Sequence, residues 1–296
     1  MNSSRLDDLI ALQLRFSSIG RILDPRYPTN LAIMAVTPLA GIVAGILSLL
    51  GGETLTQAIS AGFYTGASVF IAWVIGREFD PDHPWVSFLG VGLAFIASLF
   101  APPPSIWSLA ALIVLARIVN RIVGPPAKIG DSVVALALTG LALLTGWWVF
   151  AVVAAAAFVL DAMLSKPNRH QWVFAGLSLA GMLVSIIINE GNKPYAASAW
   201  TIPVLIAAVV IAYVIVTTEV SSGCDAPGYM LDNRRVQAAM GLMLFAGVLF
   251  ELWAGTPGLI ALLPLWAAMI GASVWRLWEM AQSGFTWTGD GNLDTQ

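Results

Sequence analysis

Charge is what this sequence has least of. Asp, Glu, Lys and Arg supply 10% of its 296 residues, against roughly 25% in soluble domains, too few to cover a water-facing surface. Cysteine occurs once, at Cys224, which excludes an intrachain disulfide framework and a Cys-rich metal site. The net charge of −3 gives no argument for nucleic acid. No cleavable leader is expected either. Residues 1–29 carry Arg5, Arg15, Arg21 and Arg26 without the short apolar run and cleavage site of a signal peptide, so the first helix is expected to stay in the mature protein.

Apolar residues take the place of charge, at 58% of the chain with a mean hydropathy of +0.82. A helix needs about 20 residues to cross roughly 30 Å of hydrocarbon. Runs of that order fall near 30–50, 54–76, 84–101, 105–122, 128–145, 147–164, 171–189, 199–218, 236–254 and 257–279. Turn clusters close successive pairs at Gly51-Gly52, Pro102 to Pro104, Gly146, Gly191 to Pro194 and Gly255 to Pro257. The fold class expected is an all-α polytopic membrane bundle, about ten crossings in five hairpins. Its divisions are a cytoplasmic N-terminal segment at 1–29, the bundle at 30–279 and a polar tail at 280–296. Within the first segment Leu6, Leu9, Ile10 and Leu14 keep helical spacing and predict a short amphipathic helix.

All Lys and Arg residues except Lys193 fall on one side of this map. By the positive-inside rule that side is cytoplasmic, with both termini inside an inner or plasma membrane. Most acidic residues lie there too, partly because the opposite loops are short, but they contribute little to orientation. Tryptophans mark both helix ends, Trp73, Trp85, Trp172, Trp275 and Trp278 on one side and Trp107, Trp147, Trp148, Trp200 and Trp253 on the other, as two interfacial belts would.

Most of the polar side chains that could do chemistry lie on the basic side. Glu78, Asp80, Asp82 and His83 offer hard oxygen ligands and an imidazole, a set suited to Mg²⁺ or Mn²⁺. The competing reading makes Asp82 a helix cap ahead of Pro84. Arg117, Asn120, Arg121 and Lys128 are candidate phosphate or anion ligands: guanidinium forks four residues apart share a helix face. Arg117 sits more than a turn inside its helix, where a charge needs a partner, and Asp161 in the sixth crossing is the expected one. Asp131, Arg169 and His170 complete the polar set. Asn30, Asp131, Asn168 and Asp232 also have the look of helix caps. The crossings at 128–145 and 147–164 are only about 18 residues, about 27 Å, which predicts a thinned polar side there.

Motifs that would name a reaction are lacking. His-Glu-x-x-His is absent, and so are the Asn-Asp-x-x-Asp motif of aromatic prenyltransferases and the Asp-Gly…Ala-Arg…Asp pattern of CDP-alcohol phosphotransferases. Apart from Glu251, no charged residue sits near mid-membrane, which disfavours an ion-coupled pump. Three readings stay open: a protein that binds or processes a phosphate-bearing lipid or related anion at the cytoplasmic interface, a facilitator, and an assembly subunit. Membrane lipids are the partners expected in the first, other membrane proteins in the last.

Overall fold

Pro28 stands in the first turn of α1 (Pro28–Leu50), where a missing N–H costs little. Gly51 and Gly52 end that helix, Gly52 at φ 87°, a left-handed value glycine takes without strain. Thr54 then caps α2 (Leu55–Phe79). Its N–H donates to Gln57 Oε1 at 2.9 Å and its Oγ1 accepts from the Gln57 N–H, a reciprocal capping box. α3 (Ser87–Ser98), α4 (Ile106–Asn120), α5 (Ile129–Leu144), α6 (Phe150–Met163), α7 (Gln171–Ile188) and α8 (Thr201–Thr217) follow. Asp232 caps α9 (Asn233–Ala254) through the N–H groups of Arg234 and Arg235. The computed structural model describes residues 16–188, 198–226 and 228–286. Among them no strand forms, and one isolated bridge joins Gly223 to Met230.

The apolar stretch at 257–279 is two helices, α10 (Thr256–Ala261) and α11 (Leu263–Thr286). Pro264 has no N–H to return to Ile260, and its ring crowds that carbonyl, so the chain breaks at Leu262. α11 also runs past the tail boundary expected at 280. The stripe of Leu6, Leu9, Ile10 and Leu14 and the end of the tail at 287–296 lie outside the described residues.

By length and composition α1, α2, α7 and α9 can each cross a membrane, and α3, α4, α5, α6 and α8 are shorter apolar helices. α1 buries only Thr29, Ile33, Ala40 and Ala44, while Leu31, Leu39, Ile42, Ile46 and Leu50 stand exposed. In water such a face would be an association surface; against hydrocarbon it is ordinary. The pattern is that of a helical membrane protein.

Lipid tails are as apolar as leucine, so close backbone approach and polar contacts hold such helices together. α1 meets α2 at Gly41 and Gly62, where a Cβ on either would lie 2.8 or 2.7 Å from the other's carbonyl oxygen. α4 is central, packed on α2, α5, α6 and α9, with Leu109, Leu112, Leu115 and Ile118 wholly buried. A helix apolar on every side needs that enclosure. Polar side chains gather at one end of the bundle. There the C-terminal ends of α2, α4 and α6 meet the N-terminal ends of α5, α7 and α9.

Candidate functional site

Arg117 and Arg121 do not share a face. α4 ends at Asn120, and Arg121 takes a left-handed backbone with φ 53°, which turns its side chain away from the row carrying Arg117. Arg117 Nε donates to Glu78 Oε1 at 2.8 Å, and its Nη1 donates to the Ile19 carbonyl at 3.1 Å. The expected Arg117–Asp161 pair is therefore corrected: the carboxylate of Arg117 is Glu78, on the neighbouring helix α2. Asn120 Nδ2 donates to the other Glu78 oxygen at 2.9 Å, while its Oδ1 accepts from the Ile122 N–H. Asn120 is 1% exposed, and both ends of its amide are engaged within the protein.

Asp161 is fully buried and belongs to Arg121 and Arg235. Its Oδ1 accepts from Arg121 Nη2 at 2.7 Å, Arg121 Nε at 3.1 Å and Arg235 Nη1 at 2.8 Å. Its Oδ2 accepts from Gln171 Nε2 at 3.1 Å, and Gln171 in turn accepts from Ser132 Oγ. Arg235 also donates to the carbonyls of Val119 and Ser165. This node ties α4, α5, α6, α7 and α9 at one point. Ser165 Oγ donates to Asp232. That bond, with the N–H groups of Arg235 and Arg234, holds the Asp232 carboxyl below its ordinary range against the opposing effect of burial.

The acidic turn goes three ways. Glu78 faces Arg117. Asp80 accepts from Arg276 Nη2 at 2.9 Å and lies 3.2 Å from His83 Nδ1. Asp82 accepts from the N–H groups of Ser221 and Ser222 at 2.9 and 3.0 Å and from Ser221 Oγ. Burial works to raise the Asp82 carboxyl, but these serine hydrogen bonds outweigh it and hold it low. It caps that distant loop rather than α3, which starts only at Ser87. Of the four, only Asp80 and His83 meet, and among the described residues no three His, Cys, Asp or Glu side chains form a metal-binding group.

The remaining candidates are structural or peripheral. Asp131 is the third residue of α5, not its cap. It accepts from the Lys128 N–H and from the hydroxyls of Ser17 and Ser18 at 2.7 Å each, pinning the segment before α1. Asn30 and Asn168 also spend their amides elsewhere, on the carbonyls of Asp24 and Ala127. Arg169 is exposed. His170 packs edge-on against Phe174 and leaves Nε2 buried without a hydrogen bond.

The anchored segment walls a cavity that the sequence does not announce. About 790 Å³ in volume, it lies between residues 20–27, α2, α4 and α5, within the roughly 300–1,000 Å³ of small-molecule sites. One part is polar: Arg21, Arg26, Arg77, Arg117, Asp24, Asp225 and Cys224, whose thiol donates to the Arg121 carbonyl at 3.7 Å. The other is apolar: Phe70, Val74, Ala110, Ile113, Val114 and Leu138. Arg21 clasps Asp225 through Nε and Nη2 at 2.7 and 2.9 Å, and Arg26 Nη2 stands 2.8 Å from Asp24. Arg77 has no carboxylate within ion-pair distance among the described residues. It donates one bond, to Thr29 Oγ1 at 3.2 Å, its guanidinium lies 5.7 Å from the Trp73 ring, and its Nε is buried without an acceptor. Burial, then the neighbouring Asp225, push the Cys224 thiol up. The one legible signal was Trp73 and Arg77 at helical spacing of four. Arg21, Arg26 and Asp225 come from irregular segments that no periodicity places.

Comparison with protein-family models, with curated proteins and with solved structures finds no match for this chain.

Proposed function

We propose that this protein binds an anionic, phosphate-bearing amphiphile at the cytoplasmic membrane interface, in the cavity between the segment at 20–27 and helices α2, α4 and α5. The observation that carries the reading is the division of that cavity: guanidinium groups at one side, an apolar wall at the other. A lipid headgroup with its attached chain has the same division. Arginine suits the phosphate because its donors form a planar fork that matches the oxyanion.

In this reading the chain makes ten crossings as five hairpins, α10 and α11 together forming the tenth crossing, with both termini cytoplasmic. The one-sided Lys and Arg distribution supports that orientation. Exposed tryptophans at both helix ends, Trp85, Trp172 and Trp278 against Trp107 and Trp200, support the crossings themselves. The cavity then opens at headgroup level of the inner leaflet, where anionic lipids supply its occupant.

Cys224 is the only cysteine and lines the cavity, so it reports occupancy directly. The purified protein is alkylated in detergent with a maleimide, at mildly alkaline pH because the thiol is raised. Micelles then carry either phosphatidylglycerol or phosphatidylcholine. The reading expects the anionic lipid to slow Cys224 labelling and the zwitterionic one to leave it unchanged; equal rates with both would refute it.

A further inference from the structure

The cavity wall carries four arginines but offers only one free charge, and this sets the charge its ligand must have. Arg21 is clasped by Asp225, Arg26 by Asp24 and Arg117 by Glu78. Arg77 alone faces the cavity without a carboxylate among the described residues, its buried Nε lacking any acceptor. Three compensated pairs add no net attraction for an anion. They do place the carboxylates of Asp24 and Asp225 beside any second negative charge.

We propose that Arg77 is the headgroup-binding residue and that the site selects a lipid with a single phosphodiester charge. The inference rests on the lipid-binding reading above and narrows it. The phosphodiester accepts from Arg77 Nε, the donor that burial leaves unsatisfied, and from its free terminal nitrogen. Trp73 holds the guanidinium plane from below, and Thr29 fixes its other terminal nitrogen. The chains lie along the apolar wall from Phe70 on α2 to Leu138 on α5. A diphosphate or a lipid with two phosphates gains nothing from its second charge, which meets arginines already engaged and carboxylates of its own sign.

The test measures lipid affinity on the intact chain by native mass spectrometry and by Cys224 protection. The probes are phosphatidylglycerol, the two-phosphate lipid cardiolipin, phosphatidylcholine and inorganic phosphate. Wild-type protein is expected to take one phosphatidylglycerol, with cardiolipin no tighter and inorganic phosphate at millimolar concentration giving no protection. Arg77→Gln should weaken phosphatidylglycerol by about tenfold or more, as loss of a charge-assisted hydrogen bond does. Arg234→Gln, at an exposed position outside the cavity wall, should not.

The outcomes separate the two claims. If no lipid protects Cys224 in the wild type, lipid binding itself fails and the inference falls with it. If phosphatidylglycerol protects the wild type and Arg77→Gln equally, lipid binding stands and the role of Arg77 is overturned. Cardiolipin tenfold tighter than phosphatidylglycerol in the wild type overturns the single-charge claim without any variant, so a poorly folding Arg77→Gln protein leaves the inference open to refutation. Protection by inorganic phosphate alone would make the site one for a free anion and overturn the lipid assignment.

Discussion

Arg121 and Asp161 join the end of α4 to the end of α6, Nη2 to Oδ1 at 2.7 Å, with both side chains out of reach of solvent. Arg235 shares the same oxygen from α9. Desolvating three charged groups is costly, and only complete hydrogen bonding offsets it. The carboxylate meets that condition with donors on both oxygens.

Asp161→Ala should therefore be the most damaging single change at this end of the bundle. It leaves two buried guanidiniums without their counter-ion, a loss of about 3–5 kcal/mol when a buried pair is broken. Thermal unfolding followed by the reactivity of Cys224 would show a marked fall in Tm. A Tm within a degree of wild type would mean the node carries no weight.

Glu78 and Arg117 make a second tie, between α2 and α4. Glu78→Gln and Arg117→Gln should each destabilise, and together cost less than their sum. A double-mutant cycle is expected to give a coupling of about 1 kcal/mol or more, as contacting residues do. Simple additivity would deny the pair.

The crossing of α1 and α2 depends on bare backbone. A Cβ at Gly62 falls 2.7 Å from the Gly41 carbonyl oxygen, whereas one at Gly140 in α5 meets nothing within 4 Å. Gly62→Ala should lower stability by about 1–3 kcal/mol, the usual range for overpacking. Gly140→Ala should be neutral or raise it, since alanine is the better helix former by about 1 kcal/mol. Matching effects at the two sites would contradict the close approach.

Acid should loosen the loop around Ser221 before it opens the bundle. Asp82 and Asp232 both have carboxyls held below their ordinary range. Each contributes stability that is complete above its unfolded pKa of about 3.9 and is lost as pH falls through the lower folded value. Protease accessibility near 221–222 should rise in that window in the wild type. Asp82→Asn should show the same accessibility already at neutral pH; a protected loop in that variant would refute the cap.

Much of the helical layout was legible because a membrane span writes its length in apolar residues and its ends in turns. α1 and α2 fall close to the runs read at 30–50 and 54–76. The run read at 257–279 did not show the break at Leu262, because a run of apolar residues continues unchanged through a proline that interrupts the helix. Asp161 was legible as a buried charge, but its partners were not, since the left-handed residue Arg121 ends α4 and meets α6 while Arg235 arrives from α9. Glu78 and Arg77 show the same limit at adjacent positions. Neighbours on a helix point about 100° apart, so Glu78 enters the core and Arg77 the cavity. The cavity itself depends on the tertiary placement of residues 20–27, which carry no period to read.

The most direct measurement is an electron cryomicroscopy map of the protein in nanodiscs containing phosphatidylglycerol. Headgroup density within hydrogen-bond reach of Arg77 Nε, about 3 Å, and chain density running toward Leu138 are the predicted result. A cavity in which Arg77 meets only water, or a protein carboxylate, while lipid lies elsewhere, would contradict the account.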